Sequence, residues 1–198
     1  MINLIKKIFY KEKFAVNKLI NATNIKELKN FENLCKYSIK AIKNKKKIIF
    51  YGNGGSASDA QHLATELTVR YKINRSALPA ISLSTDTSAL TAIGNDFGFK
   101  KVFARQIEAI GNSGDIAIAI TTSGNSSNLI EAAKIANKKK LITFCFSGNK
   151  GGKLKKFTRY PIIIPSNVTS HTQVYEIFLG QVYCEILENY FFQKNEKD

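Results

Sequence analysis

Apolar positions keep one spacing over the first 44 residues and a different one after them. Residues 1–44 repeat apolar side chains at helical intervals, with a break near Asn21-Ala22-Thr23-Asn24 that can cap a second helix. From Lys47 onward, short apolar runs alternate with helical patterns. KKIIFY precedes a helix over 56–71, PAISLS one over 86–94, DIAIAI one over 126–138, LITFCF a loop, and YPIIIP a helix over 171–191. Runs of Ile, Leu, Val and Phe without polar alternation belong to strands buried on both faces, and helices between such strands give a parallel sheet. The pattern predicts an α/β three-layer sandwich of about five parallel strands. It forms one domain over 1–198, with N-terminal helices at 1–44 and the α/β core and C-terminal helix at 45–198.

Two of the strand-to-helix junctions share a design. KKIIFY runs into GNGGS, and DIAIAI runs into TTSGNSSN. Each puts small polar side chains and free backbone N–H groups at a helix N-terminus, at the carboxyl end of a strand, where parallel sheets bind ligands. The helix dipole and the unpaired donors favour an anion there. GNGGSASD lacks the GxGxxG spacing, no acidic residue follows about 20 positions later after a second strand, and GxxxxGK[ST] is absent. These absences disfavour a dinucleotide and a nucleoside triphosphate and leave a phosphate or sugar phosphate.

The helix after the first loop carries His62 and Glu66, four residues apart and therefore on one face. Alone, such a pair is an ordinary surface contact. Beside an anion loop, the carboxylate can take a proton from a carbon next to a carbonyl, and the imidazole can donate to oxygen or bind a metal. Two ligands do not make a zinc site, which needs three or four. Asn95 and Asp96, in IGNDFGF, suit a turn or cap as well as they suit hydrogen bonds to sugar hydroxyls.

Charge changes this picture little. The chain carries a net charge of +15, and 13 Lys against 3 acidic residues put +10 of it in residues 1–50. Those lysines fall at helical spacing or just before a strand, without the interleaved aromatics that stack bases. They read as a solvated face, with a basic patch for an anionic substrate or an acidic protein partner as the alternative, and nucleic acid is disfavoured. Cys35, Cys145 and Cys184 are widely spaced among apolar residues and read as buried free thiols of a reducing, cytoplasmic setting. Lysines interrupt the apolar residues of MINLIKKIFYKEKF, which makes a poor signal peptide, and no run approaches the roughly 20 residues of a membrane span.

GNGGSASDAQHLATEL, AIGNDFGF and TTSGNSSN, in that order, resemble the sugar isomerase (SIS) domain family and specifically its phosphoheptose isomerase branch. The resemblance extends over nearly the whole chain. It implies the SIS fold, a homotetramer with sites built between subunits, and often a zinc ion. It also implies that Asn53, Gly54, Gly55 and Ser56 line the substrate site, that Asn95 and Asp96 touch the sugar, and that Thr121, Thr122, Ser123 and Ser126 hold the phosphate. His62 and Glu66 would be metal ligands, with Glu66 also the base, in an aldose–ketose isomerase converting sedoheptulose 7-phosphate to D-glycero-D-manno-heptose 7-phosphate.

The chain departs from that pattern in its C-terminal helix. Where the family has a Gln and, eight residues on, a His that serve metal and proton transfer, this chain has Gln173 and Gln181. The two share a helix face, but an amide exchanges no proton near neutral pH and is a weaker zinc ligand than imidazole. His171 points away from Gln173 on an ideal helix. The alternative that follows is a non-catalytic, sugar-phosphate-binding SIS tetramer working through protein contacts, such as a protein associated with the replication initiator.

Overall fold

A computed structural model describes residues 1–193. Two helices, α1 (Ile2–Asn21) and α2 (Ile25–Lys43), precede the sheet. Asn24 caps α2 by accepting from the Glu27 N–H at 3.0 Å. The core then runs β1 (Ile48–Gly52), α3 (Gly55–Thr68), β2 (Ala80–Ser82), α4 (Thr87–Phe97), α5 (Val102–Ile110), β3 (Ile116–Thr121), α6 (Ser127–Lys138), β4 (Ile142–Ser147), β5 (Tyr160–Ile163) and α7 (Thr169–Phe192). Five parallel strands form one sheet in the order β2-β1-β3-β4-β5, as the apolar runs predicted.

The middle strands are buried on both faces, and their side chains build two cores. Ile48 and Phe50 of β1 and Ile116, Ile118 and Ile120 of β3 meet Leu34 of α2, Leu63 and Leu67 of α3, and Tyr183 and Leu187 of α7. On the other face Ile49, Tyr51, Ala117 and Ala119 meet Val102, Phe103 and Ile107 of α5 and Leu129, Ala132 and Ala136 of α6. Each large side chain so buried contributes about 1.5–3 kcal/mol. The three cysteines are buried free thiols.

Strand order reverses direction between β1 and β3. The helix after β1, α3, lies on one face and the helix after β3, α6, on the other. The two loops therefore part at this point and leave a crevice at the carboxyl ends of the strands.

Three details differ from the sequence pattern. The helix expected over 56–71 stops at Thr68. The chain beyond it is drawn away by Glu188 of α7, which accepts the N–H groups of Tyr71, Lys72 and Ile73 at 3.0, 2.8 and 3.2 Å. Arg75 pairs with the same carboxylate at 3.1 Å and caps α3 through the carbonyls of Leu67 and Glu66 at 2.7 Å each. Burial alone would raise the Glu188 carboxyl, but these donors outweigh it and hold it below the usual carboxylate value. The PAISLS run contributes only a three-residue edge strand. Finally, the segment after IGNDFGF forms α5, for which the apolar runs gave no expectation.

α1 buries only Leu19, while Ile2, Leu4, Ile5, Ile8, Phe9 and Phe14 stay exposed. It is tied to α7 through Glu12 and His171, 2.7 Å apart, and through a hydrogen bond between Thr23 and Tyr175.

Candidate active site

The loop after β1 and the loop after β3 are laced together. Asn53 and Asn128 exchange amide hydrogen bonds in both directions, at 3.0 and 2.8 Å. The second loop turns on itself: Thr121 Oγ1 accepts from the Gly124 N–H and Ser123 Oγ from the Asn125 N–H. Gly124 has φ +63° and packs so tightly against the β4–β5 loop that a Cβ there would lie 2.4 Å from the Gly151 carbonyl oxygen. Ser126 precedes α6 without a side-chain cap bond, so its hydroxyl and the N–H groups of Ser127 and Asn128 remain available, while the Leu129 N–H donates to Asn128 Oδ1 at 3.0 Å. Thr121, Thr122, Ser123 and Ser126 thus lie on the one loop that leads from β3 into the N-terminus of α6, an arrangement that suits an anion.

The first loop leads into α3, which packs beside α7. A Cβ on Gly55 would lie 2.2 Å from the Gln173 amide nitrogen, which places that side chain directly against the loop. Ser56 is buried and donates to Glu176 Oε2 at 3.3 Å, so it offers a ligand its backbone N–H rather than its hydroxyl. Two turns along α3, His62 Nε2 lies 2.9 Å from Glu66 Oε1 and 2.9 Å from the Gln181 amide nitrogen. The structure brings His62, Glu66 and Gln181 to one point. Gln173 stays about 12 Å away along the helix axis, at the loop end.

His171 takes no part in this cluster, because it faces α1 and bonds Glu12. Asn95 and Asp96 sit exposed at the far end of α4, about two turns from its start, and bond one another at 2.8 Å. They are not turned into the crevice of their own chain.

Among the described residues no three His, Cys, Asp or Glu side chains cluster closely enough to hold a metal ion. The third donor beside His62 and Glu66 is the Gln181 amide. The imidazole, carboxylate and amide that meet about His62 Nε2 are the kinds of donor a divalent cation takes, the amide, which would have to present its oxygen, being the weakest of the three.

Two groups escaped the sequence. Ser84, after β2, donates to the Gly52 carbonyl at 3.3 Å and braces the first loop. Glu176 is wholly buried in α7, and one of its oxygens and one of Asp59 lack partners. Burial first, then the neighbouring Asp59, pushes Glu176 up to about 8, while Ser56 and the Thr121 backbone pull the other way. Asp59 is raised too, mainly by burial, with His62 opposing. A Glu inside the otherwise apolar VYEIFLG was the available signal, because a helix apolar all round is buried.

A parallel sheet with its ligand crevice at the strand switch, headed by two Ser/Gly loops, defines a class of sugar-phosphate-binding domain. The SIS domain family profile matches residues 11–148, and the chain belongs to that family. Within it, the chain is 45% identical over 197 residues to the phosphoheptose isomerase of Helicobacter pylori strain P12, covering 98% of each chain. It is 51% identical over 148 residues to that of Aquifex aeolicus strain VF5, covering 75% of this chain and 78% of that one. Among solved structures, phosphoheptose isomerase GmhA from Neisseria gonorrhoeae superposes with a TM-score of 0.84 at 34% identity, covering 94% of this chain and 98% of that one. A phosphoheptose isomerase from Francisella tularensis gives 0.86 at 29% identity, over 95% and 98%.

Proposed function

We propose that the protein is a phosphoheptose isomerase that converts sedoheptulose 7-phosphate to D-glycero-D-manno-heptose 7-phosphate. One observation carries the reading: a phosphate-type loop at the head of α6 is fixed by Asn53–Asn128 to the loop that opens α3, and α3 carries His62 and Glu66 side by side. The relatives' shared name and their coverage of nearly the whole chain support the same substrate.

The phosphate rests on Thr121, Thr122, Ser123 and Ser126, with the dipole of α6 opposing its charge. Asn53 and the N–H groups of Gly54, Gly55 and Ser56 orient the sugar, with Gln173 at its flank. Glu66 removes the proton from the carbon beside the carbonyl, leaving an enediol, and returns it to the neighbouring carbon. Without a metal, the hydroxyl proton moves to the former carbonyl oxygen through His62, whose ring nitrogen alternates between donor and acceptor; with one bound, water takes that part. His62, Glu66 and Gln181 would hold a zinc ion, which supplies Lewis-acid polarisation of the carbonyl when bound. Gln181 itself cannot carry a proton.

The assembly is a cytoplasmic homotetramer in which the exposed apolar side of α1 is covered by other subunits and Asn95 and Asp96 reach a neighbour's sugar. The support is the row of exposed Ile2, Leu4, Ile5, Ile8 and Phe14, more apolar surface than a lone helix leaves in water. Light scattering that finds a monomer at micromolar concentration refutes the assembly. Turnover of sedoheptulose 7-phosphate by purified protein, with and without added zinc, tests the activity. Binding without turnover in either condition favours the non-catalytic alternative, for which Gln181 beside His62 is the supporting observation; no binding at all removes both.

A further inference from the structure

Glu176 is not used by the mechanism above, yet it lies under both substrate loops. It is fully buried, accepts from Ser56 Oγ at 3.3 Å, and feels the backbone amide of Thr121 at the end of β3. Ser56 lies in the first turn of α3 and Thr121 ends β3 where the phosphate loop begins, so one carboxyl on α7 bonds the root of the first loop and lies near the root of the second. Asn53 and Asn128 join the same two loops from the other side. A buried polar group that costs this much desolvation, and whose second oxygen finds no partner, is expensive to keep unless it fixes something.

We propose that Glu176 is a positioning residue of the sugar-phosphate site, holding Ser56 and with it the head of α3 in the place the ligand needs, beside the end of β3. The proposal rests on the sugar-phosphate reading of the loops. Its surroundings set the charge state in which it works. The titratable groups near it are Asp59 on α3, with His62 one turn further on, and Cys145 on β4, which in turn senses Glu27 on α2. Glu176 is wholly buried and Asp59 beside it half-buried, each with one unpartnered oxygen, and burial together with the Asp59 charge disfavours ionisation of Glu176, which therefore works as the neutral acid. Ionisation at alkaline pH puts a second negative charge beside Asp59 and beneath a loop that must accept a phosphate. The consequence is weaker ligand binding on the alkaline side, through KM rather than kcat.

The test uses the full-length protein, sedoheptulose 7-phosphate binding by calorimetry, and kcat and KM between pH 6 and pH 9.5. Glu176→Ala is expected to raise Kd and KM about tenfold at pH 7, the scale of one lost buried hydrogen bond, with a smaller change in kcat. Glu176→Gln keeps the shape of the neutral acid and restores binding at pH 7. It is also expected to abolish the alkaline rise in KM, which a merely structural role would not move. Asp59→Asn removes the neighbouring negative charge, so Glu176 loses its proton more readily and the rise in KM begins at lower pH. Where Glu176→Ala fails to fold, Ser56→Ala cuts the same contact from the other side and is expected to raise KM alike, in the wild-type and in the Glu176→Gln background. An unaltered KM in a folded Glu176→Ala or Ser56→Ala variant, or an alkaline rise that persists in Glu176→Gln, overturns the proposal. Wild-type protein that binds no sugar phosphate overturns the function reading itself, and the proposal with it; wild-type binding with indifferent Glu176 variants overturns the proposal alone.

Discussion

Gly180 is where α7 touches α3 most closely, and Gly180→Ala tests whether that contact sets the geometry of the site. A Cβ there would lie 2.4, 2.5 and 3.0 Å from Cδ1, Cδ2 and Cγ of Leu63. Ordinary carbon contacts are about 3.5–4.0 Å, so the helices must separate or Leu63 must leave its rotamer. Leu63 is fully buried and has little room to turn. Overpacking of this kind costs about 1–3 kcal/mol, and replacing a helical Gly by Ala returns about 0.5–1 kcal/mol. Against a clash this close overpacking wins, by up to about 2.5 kcal/mol, or a melting point lowered by up to roughly 10 °C for a chain of this size. The residues next to the clash are His62 and Gln181, so turnover should fall as well while phosphate binding at the α6 loop persists. Calorimetry at fixed protein concentration, alongside kinetics, reads both effects. Leu63→Ala alone leaves a cavity worth about 2–5 kcal/mol, but in the Gly180→Ala background it also removes the clash, so the double variant should lose less than the sum. Strict additivity would falsify the close contact and everything inferred from it.

Gln181→His should raise isomerase turnover by about 10²–10⁴-fold if an imidazole is the missing proton carrier, and isothermal titration should show tighter zinc binding; an unchanged rate means His62 suffices. Ser123→Ala with Ser126→Ala should weaken sugar-phosphate binding at least about tenfold by loss of two hydroxyl donors, with melting in the absence of ligand nearly unchanged. Glu188→Ala leaves three backbone N–H groups and the buried Arg75 guanidinium without their acceptor, and urea titration should register a loss of about 3–5 kcal/mol. Glu176 holds its proton in the fold up to about pH 8 against an ordinary value of 4.5. The folded state therefore binds the extra proton in that window, and stability falls as pH rises through it; melting curves of Glu176→Gln should show a flatter pH dependence.

What the sequence disclosed followed from strong periodicity and local chemistry. The buried runs of β1, β3 and β4 have no polar alternation and could be little else. The loops announced themselves by Gly and Ser at strand ends, and His62, Glu66 and Gln181 met because spacing along α3 and α7 put them on facing sides. Contacts between distant segments were less legible. Nothing near Thr68 says that α3 must end there; the reason is Glu188, 117 residues beyond Tyr71. Ser56 looked like a ligand-facing hydroxyl, and its turn toward Glu176 depends on how α7 packs. α5 is short and begins only after a single irregular turn at Phe99–Lys101, so its period was hard to separate from the loop before it.

The Arg75–Glu188 contact bears on how the chain is made. Arg75 fixes the end of the helix that carries His62 and Glu66, but its partner lies 113 residues further along. A growing chain on the ribosome therefore exposes β1 and α3 long before α7 exists to cover Leu63 and Leu67 or to anchor the turn after Thr68. Closure over so long a separation is slow, and the uncovered apolar face is prone to association in the meantime. The end of the crevice where His62, Glu66 and Gln181 meet forms late in biogenesis, and any lesion that stops translation before α7 leaves a sheet without that cluster.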